Sequence, residues 1–402
     1  MAGRELARAG RRVTILEARD RCGGRIWPLP AEAFGYPAEA GAEFIHGAAP
    51  VTHALLREAG RAVAPAWGSR TTVRKGELAP RQEGTPHEEE LSRALAAVRT
   101  DLPVADFLAT RFAGAAYADL RQSVSRMVEG YDAADPQRAS TLALRDEMLD
   151  DGPRQQGRIA GGYGALIDFL ARQCRLHGAA IQLGAAVTGI RGQGGALAVG
   201  CADGSLHRGD AAILTVPVPL LTEIALPPAA QARAQAAADI GYGNVVKILL
   251  RFAERFWAAP APDLFFLFSD AAIPTWWTQH PASHPVLTGW LAGPKAAGRG
   301  LDEAGFIALA LASLAEIFDR PPARLRQDLR AARAIDWRAD RFARGAYSYR
   351  TPRSREAQAA LKREDASGVL FAGEALYGQG EVGTVEAALA SGLETAQALL
   401  AR

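Results

Sequence analysis

The sequence predicts an α/β fold: a doubly wound parallel-sheet domain interleaved with an α+β domain. Three observations predict it. Helix, glycine stop, β-branched strand and terminal acid follow one another in residues 1–17, as in the second half of a βαβ unit. Short strands alternating with helical stretches return near residue 155 and again near residue 355. Between them lie two segments of different character, one mostly helical and one mixed. The expected division is 1–50, 155–229 and 355–402 for the doubly wound domain, with 51–154 and 230–354 inserted.

The elements follow in order. Residues 1–9, M-A-G-R-E-L-A-R-A, are strong helix formers with no capping residue before them, and Gly10 stops them. Residues 12–17 form a short strand ending in Glu17. A Rossmann-like unit opens with a strand and a G-x-G-x-x-G turn. These would lie upstream of Met1, so the domain is expected to lack its first strand and the functional chain to be about 20–30 residues longer. A helix is expected over 52–59, a hairpin over 71–78, and a helical pattern over 88–130 divided at Pro103. The chain then gives a helix at 165–177, strands at 181–183, 187–190, 196–199 and 211–215, and a turn at Asp203-Gly204. Residues 244–252 form an apolar strand and 302–318 a helix. Residues 368–374 form a strand leading into a Gly-Glu turn, and a last helix runs from Gly383 to about residue 401.

Composition closes several classes. With 49% hydrophobic and 22% charged residues the chain can bury a large core, which excludes wholesale disorder. A net charge of +2 gives no footprint for nucleic acid. The longest apolar stretch, 211–221, is interrupted by Thr215, Pro217 and Pro219, so no membrane span is expected. Cys22, Cys174 and Cys201 fit neither a zinc template nor a disulfide framework, and no metal site is expected. A reducing, cytoplasmic setting is the default, although an export signal could precede Met1. No pattern bears on oligomeric state.

Several blocks carry chemistry. In E-A-R-D-R-C-G-G-R, residues 17–25, an acid ending the second strand suits ribose hydroxyls. The paired glycines let backbone approach a pyrophosphate, and Arg25 can pair with it; the other reading is a glycine turn with solvated arginines. The block E-A-G-A-E-F-I-H-G, 39–47, brings Gly41 and Gly47 to suit a close backbone approach. Lys247 is one of four lysines and lies in V-V-K-I-L-L, residues 245–250. Two readings stand for it: a buried, functional lysine, or an edge strand with the lysine on its wet face.

Together with G-G-Y-G-A-L (161–166), T-V-P-V-P-L-L (215–221), F-A-G-E (371–374) and G-T-V-E-A-A (383–388), these blocks span nearly the whole chain. Their order resembles the FAD-dependent flavin amine oxidase family, the monoamine and polyamine oxidases and their bacterial relatives. The resemblance implies a FAD-binding domain interleaved with a substrate-binding domain. It implies that Glu17 and Arg19 lie at the adenosine end, that Gly24 and Arg25 hold the pyrophosphate, and that Val187 meets the adenine through its backbone. Gly41 would pass close to the cofactor. Gly373 and Glu374 would reach the ribityl–phosphate region, and Thr384 and Val385 the flavin end. A helix N-terminus there favours the charge that reduced flavin develops.

For catalysis, the resemblance implies that Lys247 holds a water near the flavin, Tyr347 aligns a neutral amine, and His46 orients the substrate or accepts a proton. His46-Gly47 resembles the polyamine oxidase branch. Tyr347 and His46 can equally be packed strand and loop residues. Trp276 and Trp277 either line the substrate cavity or pack the inserted domain. Covalent relatives carry a cysteine before the tyrosine; here it is Ala346, and no cysteine follows Cys201. FAD is therefore expected to be non-covalent. The second aromatic of the monoamine oxidase cage would fall near Thr384 and is missing.

The expected activity is oxidation of a small-molecule amine: hydride transfer from its α-carbon to flavin N5, with oxygen returning the flavin to its oxidised form and yielding hydrogen peroxide. The alternatives are a related desaturase or protoporphyrinogen-type oxidase, and a truncated remnant that cannot hold FAD.

Overall fold

The computed structural model describes residues 1–74, 77–80, 87–149, 156–378 and 382–402. The loop of the expected 71–78 hairpin and the expected boundary near residue 155 lie outside the described residues. Among the described residues no helix is long and apolar enough to cross a membrane.

Residues from both inserted segments build one seven-stranded sheet. Its order is Leu329–Asp336, Val245–Phe252, Val286–Ala292, Thr275–Trp277, Leu264–Phe268, Ser69–Arg74, Glu77–Pro80. All neighbours are antiparallel except Ser69–Arg74 with Leu264–Phe268. In a strand, alternate side chains point to opposite faces. Val246, Ile248 and Leu250 therefore enter the core beneath the helix Glu303–Phe318, with Phe306, Ala310 and Leu314. Asp302 starts that helix by accepting from the Gly305 N–H at 2.8 Å. Val245, Lys247 and Leu249 face the other way.

Two parallel strand pairs link three stretches of chain. Thr14–Leu16 runs parallel to Ala180–Gln182, and Ala212–Leu214 parallel to Val369–Phe371. The strands at 187–193, 196–201 and 206–209 form an antiparallel meander. The helix Val385–Leu400 contributes Leu389 to a core with Leu166, Phe169 and Leu170 of Gly164–Leu176. The 88–130 pattern resolves into Glu88–Ala96, Val104–Arg111 and Ala118–Gly130, and Pro103 precedes the second helix.

Glu39 is buried at 4% exposure. One oxygen accepts from the Tyr163 N–H at 2.6 Å, at the start of the helix Gly164–Leu176; the other has no partner among the described residues. Burial outweighs the favourable contacts and raises its carboxyl from 4.5 to about 7. The folded protein thus holds this proton more tightly than the unfolded chain does. Stability from this group is full below pH ~4.5 and is lost as pH rises through 7, by about 3 kcal/mol. Glu39→Gln is expected to flatten the fall in stability between pH 5 and 8, read by thermal denaturation across that range. An unchanged pH dependence would show that Glu39 is ionised throughout.

Candidate active site

Lys247 lies inside the sheet, with Trp290 opposite it on one neighbouring strand and Ile335 on the other. The edge-strand reading is therefore corrected: the strand is hydrogen-bonded on both sides, and the lysine is 1% exposed. A buried ammonium needs a partner. The Nζ donates to the Gly41 carbonyl at 3.0 Å and lies 2.9 Å from Oε2 of Glu43. Glu43, which sequence reasoning missed, gathers more donors. Its Oε1 accepts from Arg158 Nε at 2.9 Å, Gln279 Nε2 at 2.9 Å and Trp277 Nε1 at 3.1 Å. Burial alone would raise this carboxyl, but the charges of Lys247 and Arg158 and the hydrogen bonds prevail and hold it at about 2.

Tyr347 and His46 converge on Tyr131. The Tyr347 hydroxyl donates to the Tyr131 carbonyl at 2.7 Å. The His46 Nδ1 lies 3.4 Å from the Tyr131 hydroxyl and 3.4 Å from Gln156 Nε2. The His46 ring keeps some exposed surface but sits deep in the fold, and burial lowers its imidazole to about 4. It is neutral near pH 7. The Tyr347 ring lies 6.4 Å from that of Trp290 at 22°. Trp277 joins the site and Trp276 does not. Trp276 is fully buried on the opposite sheet face, its indole N–H donating to the Ile273 carbonyl.

The other arm begins where Thr14–Leu16 ends. Glu17 Oε1 accepts from the Arg19 N–H at 2.8 Å. The Arg19 guanidinium is drawn aside to Asp340 at 2.7 Å, across the ring of Phe342. Gly24 takes φ +58°, and a Cβ there would meet nothing within 4 Å, so this backbone is open. Arg25 and Glu374 both line the cavity and bond one another at 2.8 Å. Glu374 Oε1 also accepts from the Ser348 hydroxyl at 3.1 Å, and Oε2 from the Gly383 N–H at 2.9 Å. The Glu374 oxygens thus accept from protein donors and brace three segments, while the residue lines the cavity. Gly373 takes φ +140°, a conformation side chains rarely adopt. Val187 opens its meander strand. Thr384 caps the helix Val385–Leu400, its hydroxyl accepting from the Ala387 N–H at 3.0 Å.

One cavity of about 3220 Å³ is lined by residues of both arms, among them Glu17, Gly24, Val385, Lys247, Tyr347 and His46. Pockets for single small ligands hold about 300–1,000 Å³. The volume suits a long, multipart ligand together with a substrate. The open backbone at Gly24, the acid ending a parallel strand and the helix N-terminus at Val385 fit a flavin dinucleotide. No cysteine lines the cavity, and among the described residues no three potential metal ligands cluster.

A sequence profile of the family described as flavin containing amine oxidoreductase matches residues 1–400. The chain belongs to that family, and membership supports FAD as its cofactor. Human lysine-specific histone demethylase 2 is 26% identical over 424 residues, which cover 93% of this chain and 49% of that protein. Polyamine oxidase 2 of Arabidopsis thaliana is 28% identical over 290 residues, 64% of this chain and 57% of that protein. The chain thus spans about half the length of these two relatives. Among solved structures, putrescine oxidase bound to putrescine superposes with a TM-score of 0.80 at 19% identity, covering 100% of this chain and 96% of that one. Cyclohexylamine oxidase from Brevibacterium oxydans IH-35A superposes with 0.80 at 20% identity, covering 100% and 97%. These likenesses establish the fold.

Proposed function

We propose that this chain is an FAD-dependent amine oxidase holding its cofactor non-covalently. The observation that carries the reading is the single cavity joining the Glu17–Gly24 arm to the Lys247, Tyr347 and His46 group. Glu17 would hold the adenosine ribose, Val187 the adenine through its backbone, and the Gly24 backbone the pyrophosphate. Thr384 and Val385 would present the helix N-terminus to the flavin, with Gly373 giving close passage. Bound FAD supplies acceptance of a hydride equivalent from the carbon beside the amine nitrogen and return of the electrons to oxygen as hydrogen peroxide.

The protein's part is binding and orientation. Glu43 pairs with Lys247 and fixes it beside Gly41. Tyr347, held by the Tyr131 carbonyl, would align a neutral amine with its ring. His46, neutral near pH 7, offers a hydrogen-bonding nitrogen without repelling an arriving ammonium. Arg25 would reach the pyrophosphate and Glu374 the ribityl–phosphate region, the two steadied by their mutual ion pair. The two-domain division fits the same reading, since residues 69–80 and 245–336 share one sheet.

Purified protein is expected to be yellow, to release hydrogen peroxide with an amine, and to shed its flavin into the supernatant on acid precipitation. Colour retained in the pellet would overturn the non-covalent assignment. A folded, colourless protein that takes up no added FAD would overturn the functional reading.

A further inference from the structure

Resting on the amine-oxidation reading, we infer that the substrate is a monoamine with an apolar ring body, aryl or cycloalkyl, laid on the sheet face beside Lys247, and not a diamine or polyamine. The sheet register carries the argument. Trp290 stands opposite Lys247, and the next two strands outward bring Trp277 and then Phe266 to the same face. Ring centroids are 5.6 Å apart from Trp290 to Trp277 and 6.1 Å from Trp277 to Phe266. With strands ~4.8 Å apart, the row extends roughly 14 Å from the lysine. All three rings line the cavity, and Trp290 and Phe266 are only half-buried. The opposite face of the same strands packs into the core beneath the helix Glu303–Phe318, whereas on this face Phe44, which also lines the cavity, stands beside Trp277 and Phe266 at 5.8 and 6.1 Å. The row forms an apolar floor suited to a flat hydrocarbon body.

The charges argue against a second ammonium on this floor. An ammonium taken from water needs a carboxylate. Glu43 is the acid at the inner end, and its oxygens already accept from Lys247, Arg158, Gln279 and Trp277. Aromatic faces also attract cations, but here the protein supplies them. The Lys247 Nζ lies 5.4 Å from the Trp277 ring, and the Arg70 guanidinium 5.6 Å from Phe266. Arg70, exposed at the outer end of the row, places positive charge where the far end of a diammonium would lie. On the facing wall, Glu129 is paired with Lys295 at 3.0 Å. Other carboxylates line the cavity away from the floor, among them Asp132 beside Tyr131 and Asp270, paired with Arg126 at 2.7 Å, and a polyamine would have to turn to one of these.

The test uses the flavin-loaded protein with benzylamine, 2-phenylethylamine, cyclohexylamine, putrescine and spermidine. It reads anaerobic flavin bleaching, peroxide release and ligand quenching of tryptophan fluorescence. The ring amines are expected to exceed the polyamines in kcat/KM by at least about 100-fold. Quenching by benzylamine should weaken in Trp290→Leu. Arg70→Glu should raise kcat/KM for putrescine relative to that for benzylamine. Preference for putrescine or spermidine, lost in Asp132→Asn, would overturn the inference and leave amine oxidation standing. Bleaching by none of the amines would overturn both.

Discussion

Glu43→Ala is expected to cost about 3–5 kcal/mol of folding stability and most of the bound flavin. The carboxylate is 7% exposed and lies between two cations, Lys247 at 2.9 Å and Arg158 at 2.9 Å. Truncation strands both in a region of low dielectric, and it also leaves the side-chain donors of Trp277 and Gln279 unpaired. Lys247→Met should cost less, because Glu43 keeps Arg158, Gln279 and Trp277. The double variant Glu43→Ala, Lys247→Met should recover part of the first loss, since one of the two stranded charges goes with the lysine. Urea unfolding of the three variants gives the coupling. Glu43→Ala within about 1 kcal/mol of the parent would refute the view that the pair is buried and charged. The pH response has a definite sign. With its folded value depressed from 4.5 to about 2, Glu43 contributes stability that is complete above pH ~4.5 and disappears as pH falls toward 2. Acid unfolding of the parent should steepen in that window, and Glu43→Gln should remove the steepening.

The contrast between Lys247 and Glu43 shows what the sequence made legible. The lysine stands out because an ammonium in V-V-K-I-L-L violates local patterning, and the violation needs only neighbouring residues to see. Glu43 sits in a polar-looking loop block 204 residues away and violates nothing. Its one signal is that Glu39 and Glu43 flank Gly41, where the chain must pass close to other backbone. The turn residues were legible for the same local reason. Gly24 and Gly373 take positive φ, and Thr384 caps a helix, each by rules that act within a few residues. Arg25 and Glu374 stand out through their local blocks, but their pairing spans 349 residues and exists only in the fold. The strand Val286–Ala292 escaped because, buried on both faces, it lacks polar alternation; Leu329–Asp336, an edge strand of mixed burial, escaped because L-R-A-A-R-A-I-D follows no period of two. The aromatic floor escaped with them, since Trp290, Trp277 and Phe266 form a row only once the register is set.

Gly41→Ala should be the most damaging single-methyl change in the site. Gly41 needs no unusual φ; it needs space. A Cβ there would fall 1.7 Å from the Arg25 carbonyl oxygen and 3.2 Å from Cζ2 of Trp337. The first contact is with backbone, which cannot rotate away as a side-chain tip would. The two segments are also tied together, with the Ala40 N–H donating to Trp27 at 2.9 Å and the Ala42 N–H to Arg25 at 3.3 Å. Relief therefore requires parting residues 25–27 from 40–42. That displaces Arg25 from Glu374 and the Gly41 carbonyl from Lys247, disturbing both arms of the cavity at once. The expected cost is at or above the upper end of the ~1–3 kcal/mol typical of overpacking, with flavin content falling in step. Gly192→Ala is the matched control: a Cβ there meets nothing within 4 Å, so stability and flavin should hold. Thermal denaturation and the ratio of flavin to protein absorbance read both variants. A Gly41→Ala protein with the parent's melting temperature and flavin content would mean that this backbone crossing is looser than 1.7 Å implies.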